Sequence, residues 1–243
     1  MSGREDEQAA PPAAPAESAH TAPSPVGVAR FWPVVSGAAA LALVVMLALV
    51  IFYRETDKPF GFEIEFMAGM VANRAEWLTV PALVFNAVGG GILSNLVVPA
   101  VVIVGLLLFR RPWGAIYYVT AAIASAGVTR LIKVLVGRER PEDILVNPDF
   151  GSFPSGHTAN AATIAVVLYL LFPRVWVAVA GISWTVAMAL SRTLLSVHWA
   201  SDTLGGALVG TSVALLLAAW ALPWARTLTE GRPRRRQTRA PTR

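Results

Sequence analysis

The stretch "GSFPSGHTANAATIAVVLYLLF", Gly151 to Phe172, joins a Ser-Gly-His triplet directly to a long apolar run. Apolar runs of this kind are typical of membrane helices, in which an ionisable side chain is costly unless it faces a polar cavity. His157 therefore has either a structural role or a chemical one at the entrance to this helix. The rest of the chain has to decide between the two.

The composition favours a membrane protein. Hydrophobic residues make up 55% of the 243 residues and charged residues only 14%, and a soluble chain of this size rarely hides so much apolar surface. The net charge of +5 arises largely from "RPRRRQTR", Arg232 to Arg239, so we interpret it as a topology signal and expect no nucleic-acid partner. The absence of cysteine excludes disulfides, thiolate metal sites and a cysteine nucleophile.

Six stretches are predicted to span the membrane, because hydrocarbon about 30 Å thick needs roughly 20 apolar residues per helix. Residues 1–29 are rich in Pro, Ala and Ser and predict a disordered cytoplasmic tail, residues 30–224 a single membrane domain, and residues 225–243 a basic cytoplasmic tail. The predicted spans are Phe31–Tyr53, Gly91–Phe109, Trp113–Val136, Ser155–Phe172, Val175–Leu190 and Val197–Leu222.

The predicted fold class is therefore all-α, a polytopic membrane protein with six transmembrane helices. Between the first two spans lies a mildly amphipathic, mostly acidic segment. We expect it to form an interfacial helix that ends near the Gly89 to Gly91 run.

The positive-inside rule orients the predicted spans. If the helices alternate, one side receives Arg30, Arg110, Arg111, Arg174 and the seven arginines from Arg226 to Arg243. We assign that side to the cytoplasm. Both termini then lie on the cytoplasmic side of the plasma membrane, which agrees with an even number of spans. The polar ends of the third to sixth spans then meet on the extracytoplasmic face, where we expect the active site.

His198 and Asp202 are four residues apart at the start of the sixth span, so on a helix they share one face. The carboxylate can accept a hydrogen bond from one imidazole nitrogen and leave the other free as a nucleophile or base. Taken alone, such a pair is more often an interfacial histidine beside a solvated aspartate.

Lys133, Arg138 and Arg140 form a cationic cluster in "KVLVGRERP", where Pro141 stops any helix. Such a cluster attracts an oxyanion, and the guanidinium fork suits phosphate. Ordinary snorkelling of basic side chains explains the cluster equally well, but on an outer face few cations are expected. Arg192 is either one more phosphate clamp or the polar end of the fifth span.

Ser155, Gly156 and His157 are expected in the first turn of the fourth span, where unpaired backbone amides and the helix dipole favour an anion. Ser155 adds a hydroxyl donor, Gly156 permits close approach, and His157 can deliver a proton. A plain N-cap serine with an interfacial histidine is the alternative. The joint occurrence of three polar clusters on one face favours the functional interpretation.

Together these residues resemble the type 2 phosphatidic acid phosphatases, or lipid phosphate phosphatases, which share their site pattern with vanadium haloperoxidases. The family pattern is Lys-x6-Arg-Pro, Pro-Ser-Gly-His and Ser-Arg-x5-His-x3-Asp. The chain matches it in "KVLVGRERP", "PSGH" and "SRTLLSVHWASD", which begin at Lys133, Pro154 and Ser191. The resemblance covers roughly residues 60–222.

The resemblance implies a role for each matched residue. His198 is similar to the nucleophile that takes the phosphoryl group, Asp202 to the acid that orients it, and His157 to the group that protonates the leaving oxygen and then activates water. The residues that would hold the phosphoryl oxygens are Lys133, Arg140, Ser155, Gly156 and Arg192. No metal site or cofactor is predicted.

The resemblance further implies a phosphorylated membrane lipid as substrate. A polyprenyl diphosphate such as undecaprenyl diphosphate is favoured, with phosphatidic acid and phosphatidylglycerol phosphate as alternatives. A lipid phosphotransferase and a non-enzymatic lipid-binding or transport protein stay open, whereas a vanadate-dependent oxidant fits poorly because those relatives are soluble. The sequence does not indicate an oligomeric state.

Overall fold

A computed structural model describes residues 25–54 and 58–230, with side-chain surroundings for residues 31–54 and 58–221. Residues 1–24 of the predicted N-terminal tail and 231–243 of the predicted basic tail lie outside the described residues. The described ranges contain helices and no β-strand, which confirms the all-α class. The helices are α1 Pro25–Tyr53, α2 Gly61–Ala72, α3 Glu76–Gly89, α4 Val98–Leu108, α5 Pro112–Val136, α6 Gly156–Leu171, α7 Val175–Leu194 and α8 Ala200–Glu230, with a π-helical turn at Leu93–Val97.

Four of the described helices are long and apolar enough to cross a membrane: α1 over Phe31–Tyr53, α5, α7, and α8 over Ala200–Ala221. Helices α3 and α4 pass the same test only as a pair bent by 54°, which would make a fifth, broken span. Helix α6 has 16 residues and extends only about 24 Å, less than a hydrocarbon core. The structure thus supports four to five spans, and the prediction of six is not confirmed.

The segment between the first two predicted spans differs from the single interfacial helix that we expected. It forms two helices, α2 and α3, separated by a turn at residues 73–75. Helix α3 ends at Gly89, near the predicted end, and Gly91 then adopts a left-handed backbone with φ of 56°. That conformation suits glycine and allows the sharp bend into the π-helical turn.

Helices α6 and α8 pack with their backbones in close approach. A Cβ atom placed on Gly206 would lie 2.3 Å from the carbonyl oxygen of Ser155, and one on Gly210 would lie 2.2 Å from that of Ala159. Gly206 and Gly210 are one turn apart on the same face of α8, and small residues at this spacing are a common device for close helix packing in membranes.

The close packing brings four helix ends together. The Ser155 amide at the start of α6 donates a 2.9 Å hydrogen bond to the carbonyl oxygen of Asp202 in the first turn of α8. The C-terminal ends of α5 and α7 lie beside these two N-terminal ends, since side chains from all four helices or their adjoining loops line one cavity. This end of the bundle holds the polar motifs.

We expect Gly210→Ala to destabilise the protein, because the new methyl group meets backbone atoms that cannot rotate away. The cost should be about 1–3 kcal/mol, seen as a lower Tm in detergent. Gly105→Ala is the matched control, since nothing lies within 4 Å of its added Cβ and alanine favours a helix. Equal Tm values for the two variants would contradict the close approach of α6 and α8.

Candidate active site

A cavity of about 1210 Å³ opens at this end of the bundle. Six of the eight predicted site residues line it: Lys133, Arg140, Gly156, His157, Arg192 and His198. The other two, Ser155 and Asp202, are completely buried behind its wall. Residues that lie up to 65 positions apart in the sequence are therefore brought to one place.

His198 lies in the loop between α7 and α8, and Asp202 lies in the first turn of α8. The imidazole Nδ1 is 3.6 Å from Asp202 Oδ2, so the two groups face each other. They do not share a helix face as their spacing predicts, because His198 precedes α8, and Nδ1 has no hydrogen-bond partner among the described residues. Asp202 Oδ2 accepts a 2.8 Å hydrogen bond from the Trp199 amide, and this bond fixes the carboxylate at the start of α8.

The environment keeps His198 neutral. Burial lowers the pKa of its imidazole well below the usual range, and the nearby charges of Arg140, Lys133 and Arg192 lower it further. Nε2 faces the Arg140 guanidinium at 3.5 Å. A neutral imidazole with its Nδ1 toward a carboxylate keeps Nε2 available as a nucleophile or proton acceptor.

His157 also lines the cavity, in the first turn of α6. Its ring packs against Gly89 and Gly90 at the end of α3: a Cβ on Gly89 would lie 2.4 Å from His157 Cδ2. Within the described part of the chain, the buried Nε2 has no hydrogen-bond partner. A buried nitrogen without a partner is suited to form a hydrogen bond with a ligand.

Lys133 and Arg140 form one cationic wall, and both contact Asp149. Arg140 Nη2 lies 2.7 Å from Asp149 Oδ1, and Lys133 Nζ lies 3.5 Å from the same oxygen. Both cations also donate 2.7 Å hydrogen bonds to the carbonyl oxygen of Gly151. Because the Asp149 side chain is 73% exposed, the contact is open to exchange with another anion.

Arg192 reaches the cavity from the end of α7 and is held by α3. Its Nη1 and Nη2 donate hydrogen bonds of 2.9 and 3.0 Å to Asn86 Oδ1. Its buried Nε has no partner among the described residues. The guanidinium is thus oriented by one amide and keeps donor capacity for a ligand.

Ser155 is the N-cap residue of α6, but its side chain makes no capping hydrogen bond. Its hydroxyl instead receives a 3.2 Å hydrogen bond from Thr158. The first hydrogen bond of the helix runs from the Ala159 amide to the Ser155 carbonyl oxygen. The amides of Gly156 and His157 precede it and form the positive end of α6.

Comparison with known proteins finds one family match. Residues 114–226, a little under half of the chain, match the profile of the PAP2 superfamily. This segment is therefore similar to PAP2 proteins. The match agrees with the family that the motifs resemble, and curated relatives that are named as phosphatases agree with the predicted enzyme class.

Several curated relatives are named as phosphatases of different lipids. The chain is 28% identical to phosphatidylglycerophosphatase B of Bacillus subtilis over 51% of its own length and 67% of the relative. It is 36% identical to lipid A 1-phosphatase of Porphyromonas gingivalis over 44% of its own length and 24% of the relative. It is 31% identical to undecaprenyl-diphosphatase of Sulfolobus acidocaldarius over 46% of its own length and 57% of the relative. The chain therefore spans a quarter to two thirds of the length of these relatives.

Two solved structures share the fold. A transmembrane PAP2-type phosphatidylglycerolphosphate phosphatase from Bacillus subtilis aligns with a TM-score of 0.63 at 23% identity, over 83% of this chain and 99% of that one. Aquifex aeolicus LpxE aligns with a TM-score of 0.60 at 22% identity, over 67% and 98%. The shared fold and the helices that are long and apolar enough to cross a membrane support an integral membrane protein.

Some residues of the site lie outside the motifs that predicted it. Glu63 on α2 and Asn86 on α3 come from the segment expected to be only interfacial, and Asp149 comes from a loop. Arg138 was predicted to join the cationic cluster, but it is buried and pairs with Glu63 and Asp202. Glu63 is one of two glutamates in "GFEIEF", and nothing in that stretch distinguishes it from Glu65.

The low pKa of His198 predicts that stability falls in acid. The unfolded imidazole binds a proton near pH 6.5 while the folded one does not, so the free energy of unfolding decreases as pH drops below about 6.5. The loss is at most about 1.4 kcal/mol per pH unit. Between pH 7.5 and 5.5, the Tm should fall further for the native protein than for His198→Gln in the same detergent. Equal falls in Tm would show that His198 does not titrate in this way.

Proposed function

We propose that this protein hydrolyses a lipid phosphate or diphosphate through a phosphohistidine intermediate. The observation that supports this most is the convergence on one cavity of the His198–Asp202 pair, the second histidine and three cations. Phosphoryl transfer needs in-line attack and neutralisation of the equatorial oxygens. The cavity offers residue types for both.

In the first step, His198 Nε2 attacks phosphorus and the bond to the leaving oxygen breaks. His157 gives a proton to that oxygen, so that the lipid leaves as an alcohol or a monophosphate. Asp202 stabilises the positive imidazole through Nδ1. Lys133 and Arg140 neutralise the charge that builds on the phosphoryl group.

In the second step, His157 takes a proton from water, and the oxygen of that water attacks the phosphohistidine. The phosphorus–nitrogen bond breaks, phosphate is released and His198 becomes neutral again. Arg192 and the Gly156 amide hold the phosphoryl oxygens in both steps. Ser155 directly precedes that amide as the N-cap residue of α6. That no metal takes part stays a prediction.

A polyprenyl diphosphate, such as undecaprenyl diphosphate, is the substrate that we favour. Arg130 lines the same cavity as Lys133 and precedes it by three residues on α5, so the two side chains share one helix face. A further cation beside the phosphoryl clamp suits the second phosphate of a diphosphate. Phosphatidic acid and phosphatidylglycerol phosphate carry a single phosphate at that position.

We further propose that the protein lies in the plasma membrane with both termini in the cytoplasm and the cavity on the extracytoplasmic face. The distribution of Lys and Arg near the predicted span ends supports this orientation. Six crossings would include the bent α3–α4 pair and the short α6. Carrier lipids would then release phosphate outside the cytoplasm.

The purified protein should release phosphate from at least one member of a panel of lipid phosphates, and His198→Ala should abolish that release. Rapid quenching with a ³²P-labelled lipid should give an acid-labile phosphoenzyme that His198→Ala lacks. Lipid consumption without matching free phosphate would instead indicate a phosphotransferase. Undiminished release by His198→Ala would contradict the proposed mechanism.

Arg130→Gln should separate diphosphate from monophosphate substrates. If Arg130 contacts the second phosphate, KM for undecaprenyl diphosphate should rise about 3–10-fold, as expected for loss of one partly exposed charged contact. KM for phosphatidic acid should stay unchanged in the same variant. A parallel change for both lipids would remove the support for a diphosphate substrate.

A further inference from the structure

We propose that Glu63 of α2 is a positioning residue for the reaction, acting through Arg138 on Asp202. The inference rests on the proposed function, in which Asp202 orients the nucleophile His198. Glu63 lies outside residues 114–226, the part of the chain that matches the family profile. It would make α2 a component of the catalytic machinery.

Glu63, Arg138 and Asp202 form a buried chain of charges. Glu63 and Asp202 are completely buried, and Arg138 is 2% exposed. Arg138 Nη2 lies 2.6 Å from Glu63 Oε2, and Nη1 lies 2.6 Å from Asp202 Oδ1. Charges are buried at a large cost unless each is paired, so the three groups depend on one another.

Hydrogen bonds hold the Glu63 carboxylate on both oxygens. Oε2 accepts from the Phe60 amide at 2.9 Å as well as from Arg138. Oε1 accepts from the Ser201 amide at 2.9 Å and from its hydroxyl at 2.5 Å. Ser201 directly precedes Asp202, so Glu63 also fixes the backbone that carries the catalytic carboxylate.

Arg138 transmits this position to Asp202. Its Nη1 donates to the Ser201 hydroxyl at 2.7 Å as well as to Asp202 Oδ1. With Oδ1 held by Arg138 and Oδ2 held by the Trp199 amide, the carboxylate cannot rotate. Its Oδ2 is thereby kept toward His198 Nδ1.

The charges of the chain matter as much as its geometry. His198 is surrounded by Arg140, Lys133, Arg192 and His157, and Asp202 is the carboxylate beside it. Arg138 alone would neutralise Asp202. Glu63 balances Arg138, so a net negative charge remains to stabilise the positive imidazole that forms during phosphoryl transfer.

Glu63→Gln tests the proposal, because the amide oxygen of glutamine can still accept from the Ser201 amide and hydroxyl, whereas an NH2 group replaces the oxygen that pairs with Arg138 and the Phe60 amide. The negative charge that balances Arg138 is thereby lost. We expect kcat for the lipid phosphate to fall about tenfold or more, which is the factor that corresponds to a change of one unit in the pKa of the nucleophile. KM should stay within about twofold of the native value. Glu65→Gln, the same change at an exposed position of the same helix, should keep the native kcat.

A mutant cycle with Arg138→Gln separates positioning from simple packing. If Glu63 acts through Arg138, the double variant should be no slower than Arg138→Gln alone. Additive losses would overturn the proposal, as would a folded Glu63→Gln with native kcat. If Glu63→Gln does not fold, Glu63→Asp, which keeps the charge on a shorter side chain, should fold and lower kcat without raising KM; a native kcat would overturn the proposal.

His198→Ala, measured in parallel, separates this inference from the proposed function. An inactive His198→Ala together with a native Glu63→Gln would refute only the role of Glu63. Phosphate release by His198→Ala would refute the phosphohistidine mechanism, and the role of Glu63 with it.

Discussion

The close approach of α6 and α8 determines where the proposed catalytic groups lie. Gly206 and Gly210 let the two backbones touch, and the hydrogen bond from Ser155 to the Asp202 carbonyl oxygen joins the two N-terminal ends. His157 lies in the first turn of α6, and His198 lies in the loop that leads into α8. A wider separation of the helices would move the two histidines apart, so that they could not act on one phosphate.

Much of the site was predictable because the motifs lie at helix ends. The spacing of His198 and Asp202, the Pro-Ser-Gly-His segment and the cationic run before Pro141 each carry local information about a turn or a face. Once alternating spans were assumed, these ends had to meet. Apolar runs alone predicted the all-α class. They also predicted the bounds of α5, whose first residue is Pro112 and not the predicted Trp113.

The rest depended on contacts between distant parts of the chain. Glu63 and Arg138 are separated by 75 positions, and no periodicity marks a partner at that distance. The number of spans could not be predicted from the sequence either. Hydropathy does not show the 54° bend between α3 and α4, nor that α6 ends after 16 residues. Packing against neighbouring helices decides both features.

Asp149 gives the proposed phosphate cavity an internal competitor. Its carboxylate already contacts Lys133 and Arg140, so a phosphate that binds as proposed would exchange one anion for another. Its affinity would therefore be lower than the two cations alone would provide. The same exchange would work in reverse after hydrolysis, when Asp149 would return to the cations as inorganic phosphate leaves. A side chain that weakens substrate binding would thus also limit inhibition by product.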